Sequence, residues 1–204
     1  MNWIDPIPIE SLLQTSSILP ASFYDREPER VAREVLGKII VHGRTAGRIV
    51  EVEAYLGLED LAAHASRGLT NRTRVIFGPP GHAYVYLIYG MYECLNLVAE
   101  PEGKAGCVLV RALEPVSGLE RMRKRRPAAR KVEDLCSGPG KLTLAMGITR
   151  ALNGAPVTRG DLTVRAPASS DRFEIAVSPR IGITQSADWP LRFHIAGNRF
   201  VSKP

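Results

Sequence analysis

The stretch KIIVHGRTAGRIVEVEAY, residues 38–55, decides the fold class of this chain. KIIVHG and RIVEVEAY are short runs rich in β-branched residues, separated by the turn-like TAG, and they read as two paired β-strands. In the second run the side chains alternate between two faces: Glu51 and Glu53 share one, while Val50, Val52 and Ala54 share the other. Glu53 therefore stands near the end of a strand, where a rigid element can aim it. An ordinary surface acid at a strand end explains the same residue, and at this level both readings stay open.

Working outward, Asp25 is placed to cap a helix through Leu36, with Val31, Ala32, Val35 and Leu36 as its apolar face and Gly37 as its stop. Downstream, EDLAAH (59–64) suits a short helical turn, and SRGLTNRTRVIFGPPGH (66–82) is a loop rich in Gly, Pro and Arg. AYVYLIYGMYECLNLVAE (83–100) predicts a long hairpin in which Tyr84 and Tyr86 share a face and Tyr89 sits with Gly90 at the tip. GCVLVRALEP (106–115) is a further strand, with Val108, Val110 and Ala112 on one side and Leu109, Arg111 and Leu113 on the other. SGLERMRKR reads as a helix capped by Ser117, and SGPGKLTLAMG as a second one from Ser137 to Gly147. DLTVRAP, RFEIAVSPRIGI and PLRFHIAGNRFVS are strand-like, with Gly197-Asn198 as a hairpin turn.

A chain of 204 residues can bury a core without disulfides or metal. With 45% hydrophobic and 24% charged residues it is globular, which excludes disordered and fibrous classes. The 27 basic residues outnumber the 21 acids, for a net charge of +6. Seven of the basic residues fall in RMRKRRPAARK (121–131), which holds no acid, and removing them from +6 leaves −1. The basicity is thus one patch, which suits a polyanion such as nucleic acid but equally a solvated helix end. Three cysteines, an odd number with no CxxC pair, argue against a disulfide framework or a zinc site and for a reducing compartment. The opening MNWIDPIPIESLL lacks the basic and apolar regions of a signal peptide, and nothing approaches a membrane span.

SGPGKLT is not a phosphate loop, because Leu135 stands where the first glycine belongs and Leu142 where Ser or Thr must follow the lysine. Lys141 in a first helical turn could still hold one DNA phosphate, with plain capping as the alternative. The zinc-deaminase signature and the local hydrolase motifs are absent. Tyrosines at 84, 86, 89 and 92 can stack bases, or simply pack a β core. Asn96 and Arg111 lie within apolar strand sequence, where a polar group without a partner costs roughly 1–3 kcal/mol. A structural bridge or a ligand pocket would explain each.

Taken in order, IVEVEAYLGLEDLAAH, YVYLIYGMYECLN, CVLVRALEP, LCSGPGKL, PRIGI and PLRFHI resemble the alkyladenine (3-methyladenine) DNA glycosylase family over residues 18 to 202. The 66–82 loop departs from the family pattern, and Ile181 replaces a smaller residue. The resemblance implies a single α+β domain at 18–204 behind a 1–17 extension: a curved, mostly antiparallel sheet flanked by helices, with a protruding β-hairpin.

It also implies a monofunctional enzyme of base excision repair that flips alkylated or deaminated purines out of double-stranded DNA and hydrolyses the N-glycosidic bond. Glu53 would be the general base for the attacking water, with Arg111 and the backbone carbonyl of Ile181 as the other water contacts. Tyr55, His64 and Tyr86 would enclose the base, and Asn96 would clash with the amino group of guanine. Tyr89 would plug the duplex, with Met91 beside it and Arg125, Arg126 and Lys141 on the DNA. No metal or organic cofactor is implied; the chain would act as a compact bacterial monomer in the cytoplasm, at the nucleoid. A non-catalytic reader of damaged DNA and an N-glycosidase for RNA or nucleosides are the rival readings.

Overall fold

The computed structural model describes residues 7–169 and 172–203. Residues 1–6, which begin the stretch judged to lack a secretion signal, lie outside the described residues. In chain order the elements are α1 (Ile9–Thr15), β1 (Ser17–Ile18), α2 (Ala21–Tyr24), α3 (Pro28–Val35), β2 (Ile39–His42), β3 (Thr45–Tyr55), β4 (Ala83–Ile88) and β5 (Tyr92–Ala99). They continue with β6 (Gly106–Ser117), α4 (Leu119–Arg125), α5 (Pro139–Met146), β7 (Leu162–Ala166), β8 (Ile175–Ser178) and β9 (Arg192–Ile195). The strands pair antiparallel in the order β1-β7-β2-β3-β6-β5-β4, and β9 joins β3 beyond β2 with β8 on its outer edge. This is the single α+β domain with a curved antiparallel sheet that the resemblance implied.

The period-two alternation sorts the central strands into a greasy face and a polar one. Val50, Val52 and Ala54 of β3 join Val108, Val110 and Ala112 of β6, Leu95, Leu97 and Ala99 of β5, and Ala83 and Val85 of β4 in one buried cluster. Val31, Ala32 and Val35 of α3 and Leu142, Ala145 and Met146 of α5 complete it. At roughly 1.5–3 kcal/mol for each fully buried large aliphatic side chain, this face holds the sheet together. The opposite parity carries Glu51, Glu53, Tyr55, Arg111, Cys94, Asn96, Tyr84 and Tyr86. Here the register slips: Glu51 pairs with Ala112 and Val52 with Val110, leaving Arg111 as the extra residue of a bulge, a device that re-aims a side chain.

Several boundaries differ from the sequence reading, for local reasons. The β2–β3 turn is Gly43-Arg44 rather than Thr45–Gly47, since Thr45 already pairs with His42 and Gly43 takes the left-handed φ of +55°. Asp25 ends α2, and α3 starts at Pro28, whose fixed φ suits a first helical position. Ser117 is the last residue of β6, and left-handed Gly118 precedes α4. Residues 59–64 are not one helical turn. Two 3-10 turns, Gly57–Glu59 and His64–Arg67, flank Asp60, whose carboxylate accepts from the amides of Leu56 and Ala62. Gly197-Asn198 turns the chain, but no strand follows it among the described residues. Inside the stretch set apart as an extension, α1 lays Ile9 and Leu12 against Val41 and Ala46.

Gly57 has φ +84°, and a Cβ built there would run into the Ala105 carbonyl, whereas Gly43 has φ +55° and open space around it. Left-handed strain of about 1–2 kcal/mol applies to alanine at both positions, but only Gly57 adds the backbone clash. Gly57→Ala is expected to lower the unfolding free energy in urea by at least ~2 kcal/mol more than Gly43→Ala.

Candidate active site

Glu53 is fully buried beneath the polar face of β3. Its Oε1 accepts the Ile181 backbone N–H at 2.7 Å and forms an ion pair with Arg111 Nη1 at 3.1 Å, while Oε2 accepts from the Tyr55 hydroxyl at 3.0 Å. Every partner is a donor. The Ile181 group on Glu53 is its amide, because a buried carboxylate needs donors; the carbonyl that the resemblance implies as a water contact belongs to the same residue. Arg111 bridges to the second acid of the strand, its Nε donating to Glu51 Oε1 at 2.9 Å. Glu51 also accepts from Arg192 Nε at 2.9 Å, from the Ser202 hydroxyl at 2.8 Å and from the Ser202 amide. Burial disfavours the Arg111 charge, but Glu53 and Glu51 outweigh it and raise the Arg111 pKa. Burial likewise disfavours the Glu51 charge, and the Ser202 bonds with Arg111 and Arg192 overcome it, so its pKa falls.

Tyr55 lies against Arg180, whose Cζ is 4.6 Å from the ring centroid. The guanidinium forks onto Asp60, both side chains having no exposure, and donates to the carbonyls of Ala54 at 3.0 Å and Ser186 at 3.3 Å. That brace ties the Ile181 loop to the segment leading to His64. His64 packs edge-on against Tyr86 at 4.5 Å between centroids; its Nδ1 is 3.0 Å from the Tyr84 hydroxyl and its Nε2 3.3 Å from Arg72 Nη2. Burial, then the charges of Arg72 and Arg67, push its pKa down to about 4. Arg72 can only donate, so Nε2 accepts and the proton sits on Nδ1, facing Tyr84. Both ring nitrogens are thus paired within the protein. Asn96 donates to the Tyr84 carbonyl at 3.2 Å and accepts from Cys107 Sγ at 3.8 Å. Burial lifts Cys94 to about 11 and Cys107 to about 12, so both thiols keep their protons.

These groups surround a cleft of about 750 Å³. Ten of the twelve residues singled out from the sequence line it: Tyr55, His64, Tyr86, Tyr89, Asn96, Arg111, Arg125, Arg126, Lys141 and Ile181. Glu53 lies under its floor, held by three of them, and Met91 stands outside it at the hairpin tip, 67% exposed. Tyr89 is 78% exposed and holds a left-handed φ of +54° at that tip. The basic run is less free than its composition suggested. Arg125 donates to the Ala145 carbonyl at 2.9 Å, and Arg126 to the Leu135 carbonyl at 2.8 Å and to that of Asp134. The sequence reading missed Glu51 and Tyr84 as working partners, although each shares strand parity with a residue it chose. It also missed Arg72, Asp60, Arg180, Arg192 and Ser202, which no local pattern marks.

Among the described residues no group of three or more His, Cys, Asp or Glu side chains is placed to hold a metal ion, and no helix is long and apolar enough to cross a membrane. The family model described as Methylpurine-DNA glycosylase (MPG) matches residues 22–199. A protein of Methanoculleus marisnigri named "Putative 3-methyladenine DNA glycosylase" is 53% identical over 191 residues, 91% of this chain and 98% of its own length. Proteins of the same name from Koribacter versatilis and Legionella pneumophila are 47% and 46% identical, over 96% and 91% of this chain and 98% of their own lengths. The chain belongs to the methylpurine-DNA glycosylase family, whose reaction is that of a DNA N-glycosylase in base excision repair.

Proposed function

We propose that this protein flips a damaged purine out of double-stranded DNA into the tyrosine-walled cleft and hydrolyses its N-glycosidic bond, leaving an abasic site. The observation that carries the reading is a fully buried carboxylate, Glu53, whose three partners Tyr55, Arg111 and Ile181 all line that cleft. In this role Glu53 orients a water and takes its proton as the water oxygen bonds to C1′ of the deoxyribose. The electron pair of the breaking bond leaves with the purine. Arg111 and the Ile181 backbone hold the carboxylate, and Tyr55 and Tyr86 stack on the base beside His64. Asn96 opposes the amino group of guanine. Tyr89 fills the gap in the duplex with Met91 next to it, while Arg125, Arg126 and Lys141 face phosphates at the rim.

The energies match in scale. Extruding a nucleotide costs a few kcal/mol, and each base–aromatic contact returns about 1–3 kcal/mol. The proposed substrates are 3-methyladenine, 7-methylguanine, hypoxanthine and ethenoadenine, handled by a monomer without a cofactor.

Single-turnover base release from duplexes holding one hypoxanthine or one 7-methylguanine tests the reading. Wild type should release the base, and Glu53→Gln should lose at least ~10²-fold in rate while still binding DNA. Tight binding by wild type without release would make the protein a non-catalytic reader of damage. Tyr89→Ala should weaken capture of the flipped state about tenfold, read with a fluorescent base analogue opposite the lesion, and leave undamaged-duplex affinity much less changed. Because His64 keeps its proton off down to about pH 4 in the folded state while the unfolded chain takes it up near 6.5, its stabilising contribution is full above pH 6.5 and is lost as pH falls toward 4. Wild type should therefore lose more stability than His64→Gln between about pH 7 and pH 5, and an NMR titration should find the imidazole neutral across that range.

A further inference from the structure

We infer that Arg72, in the loop between His64 and β4, is a specificity-determining residue that favours removal of neutral purines over cationic, alkylated ones. The inference rests on the glycosylase reading above. One guanidinium reaches two rings of the wall: its Cζ lies 5.4 Å from the Tyr86 centroid, and its Nη2 is 3.3 Å from His64 Nε2, whose other ring nitrogen is 3.0 Å from the Tyr84 hydroxyl. Arg72 is not part of the cleft lining, although His64, Tyr84 and Tyr86 all are. It is an exposed side chain beside the wall.

Two of the other cations near the wall are cancelled by carboxylates. Arg180 is matched by Asp60, and Arg111 by Glu53 and Glu51. Among the described residues no carboxylate pairs with Arg72. The wall at His64 and Tyr86 therefore has beside it a positive charge with no carboxylate partner, and that charge, with Arg67, adds to burial in lowering the basicity of His64.

The chemistry makes this field selective. When the bond from N9 to C1′ breaks, its electron pair stays on the purine, the water oxygen bonds to C1′, and the water proton passes to Glu53. A neutral purine such as hypoxanthine gains negative charge in that step, which Arg72 stabilises. A purine alkylated at N3 or N7 arrives with a positive charge, which Arg72 opposes, and departs neutral. Arg72 is exposed, so solvent screening limits the effect to roughly fivefold to tenfold rather than many decades.

The test is single-turnover release at subsaturating full-length enzyme from the hypoxanthine and 7-methylguanine duplexes, with wild type, Arg72→Gln and Arg72→Lys. The ratio of hypoxanthine to 7-methylguanine rates should fall about fivefold or more in the Gln variant, recover in the Lys variant, and differ less between them as salt is raised. An unchanged or increased ratio overturns the proposal. An equal loss on both duplexes also overturns it, making Arg72 a phosphate contact. If wild type acts on one duplex only, the Gln variant should lose rate on hypoxanthine or gain it on 7-methylguanine, and no change there overturns the proposal. Wild type that releases neither base overturns the glycosylase reading itself, and this inference with it.

Discussion

Two carboxylates two residues apart on a buried strand must point the same way, and much of this structure answers that constraint. Glu51 and Glu53 have no solvent exposure, and an isolated buried carboxylate is costly without donors and a countercharge. The countercharges come from both neighbours of β3: Arg111 from β6, turned inward by a bulge, and Arg192 from β9. The chain then returns to seal the pair, Ser202 binding Glu51 through amide and hydroxyl, and Arg192 donating to the Lys203 carbonyl. Two acids and two guanidiniums leave the network balanced. Glu53 is thereby held rigid without being locked against other acids.

A similar economy governs the wall of the cleft. The strands that bury Val, Leu and Ala on one face present Tyr84, Tyr86, Cys94, Asn96 and Cys107 on the other, so one alternation builds both core and pocket. Burial raises the pKa of Tyr55 and Tyr86 and keeps their hydroxyls neutral, while His64 is kept neutral from the opposite side of its titration. Flat, uncharged rings thus face the space proposed for a base. Beside these rings Arg180 is balanced by Asp60, while among the described residues no carboxylate pairs with Arg72.

The legible parts were those with a short-range signature. The Tyr89-Gly90 tip was readable because alternating Tyr and Val break at a glycine, and the strand of Glu53 because Val50, Val52 and Ala54 alternate with it. The end of α5 at Gly147 was readable from a glycine in left-handed conformation. Caps were read less well: Ser117 and Asp25 have capping chemistry, but strand pairing and Pro28 claimed those positions. Arg125 and Arg126 looked like free charge in a basic run, and backbone carbonyls from other turns took part of their hydrogen-bonding capacity.

The sequence by itself determined what periodicity and local chemistry control: which residues alternate together on β3, β4, β5 and β6, where glycines turn the chain, and that Glu53, Tyr55 and Arg111 are polar groups set in strands. Only the tertiary structure decided which charges meet. Arg180 finds Asp60 across 120 positions of sequence and Ser202 finds Glu51 across 151. A side-chain ion pair or hydrogen bond depends on distance in space and on what else competes for the same atoms, and neither quantity is written in the spacing along the chain.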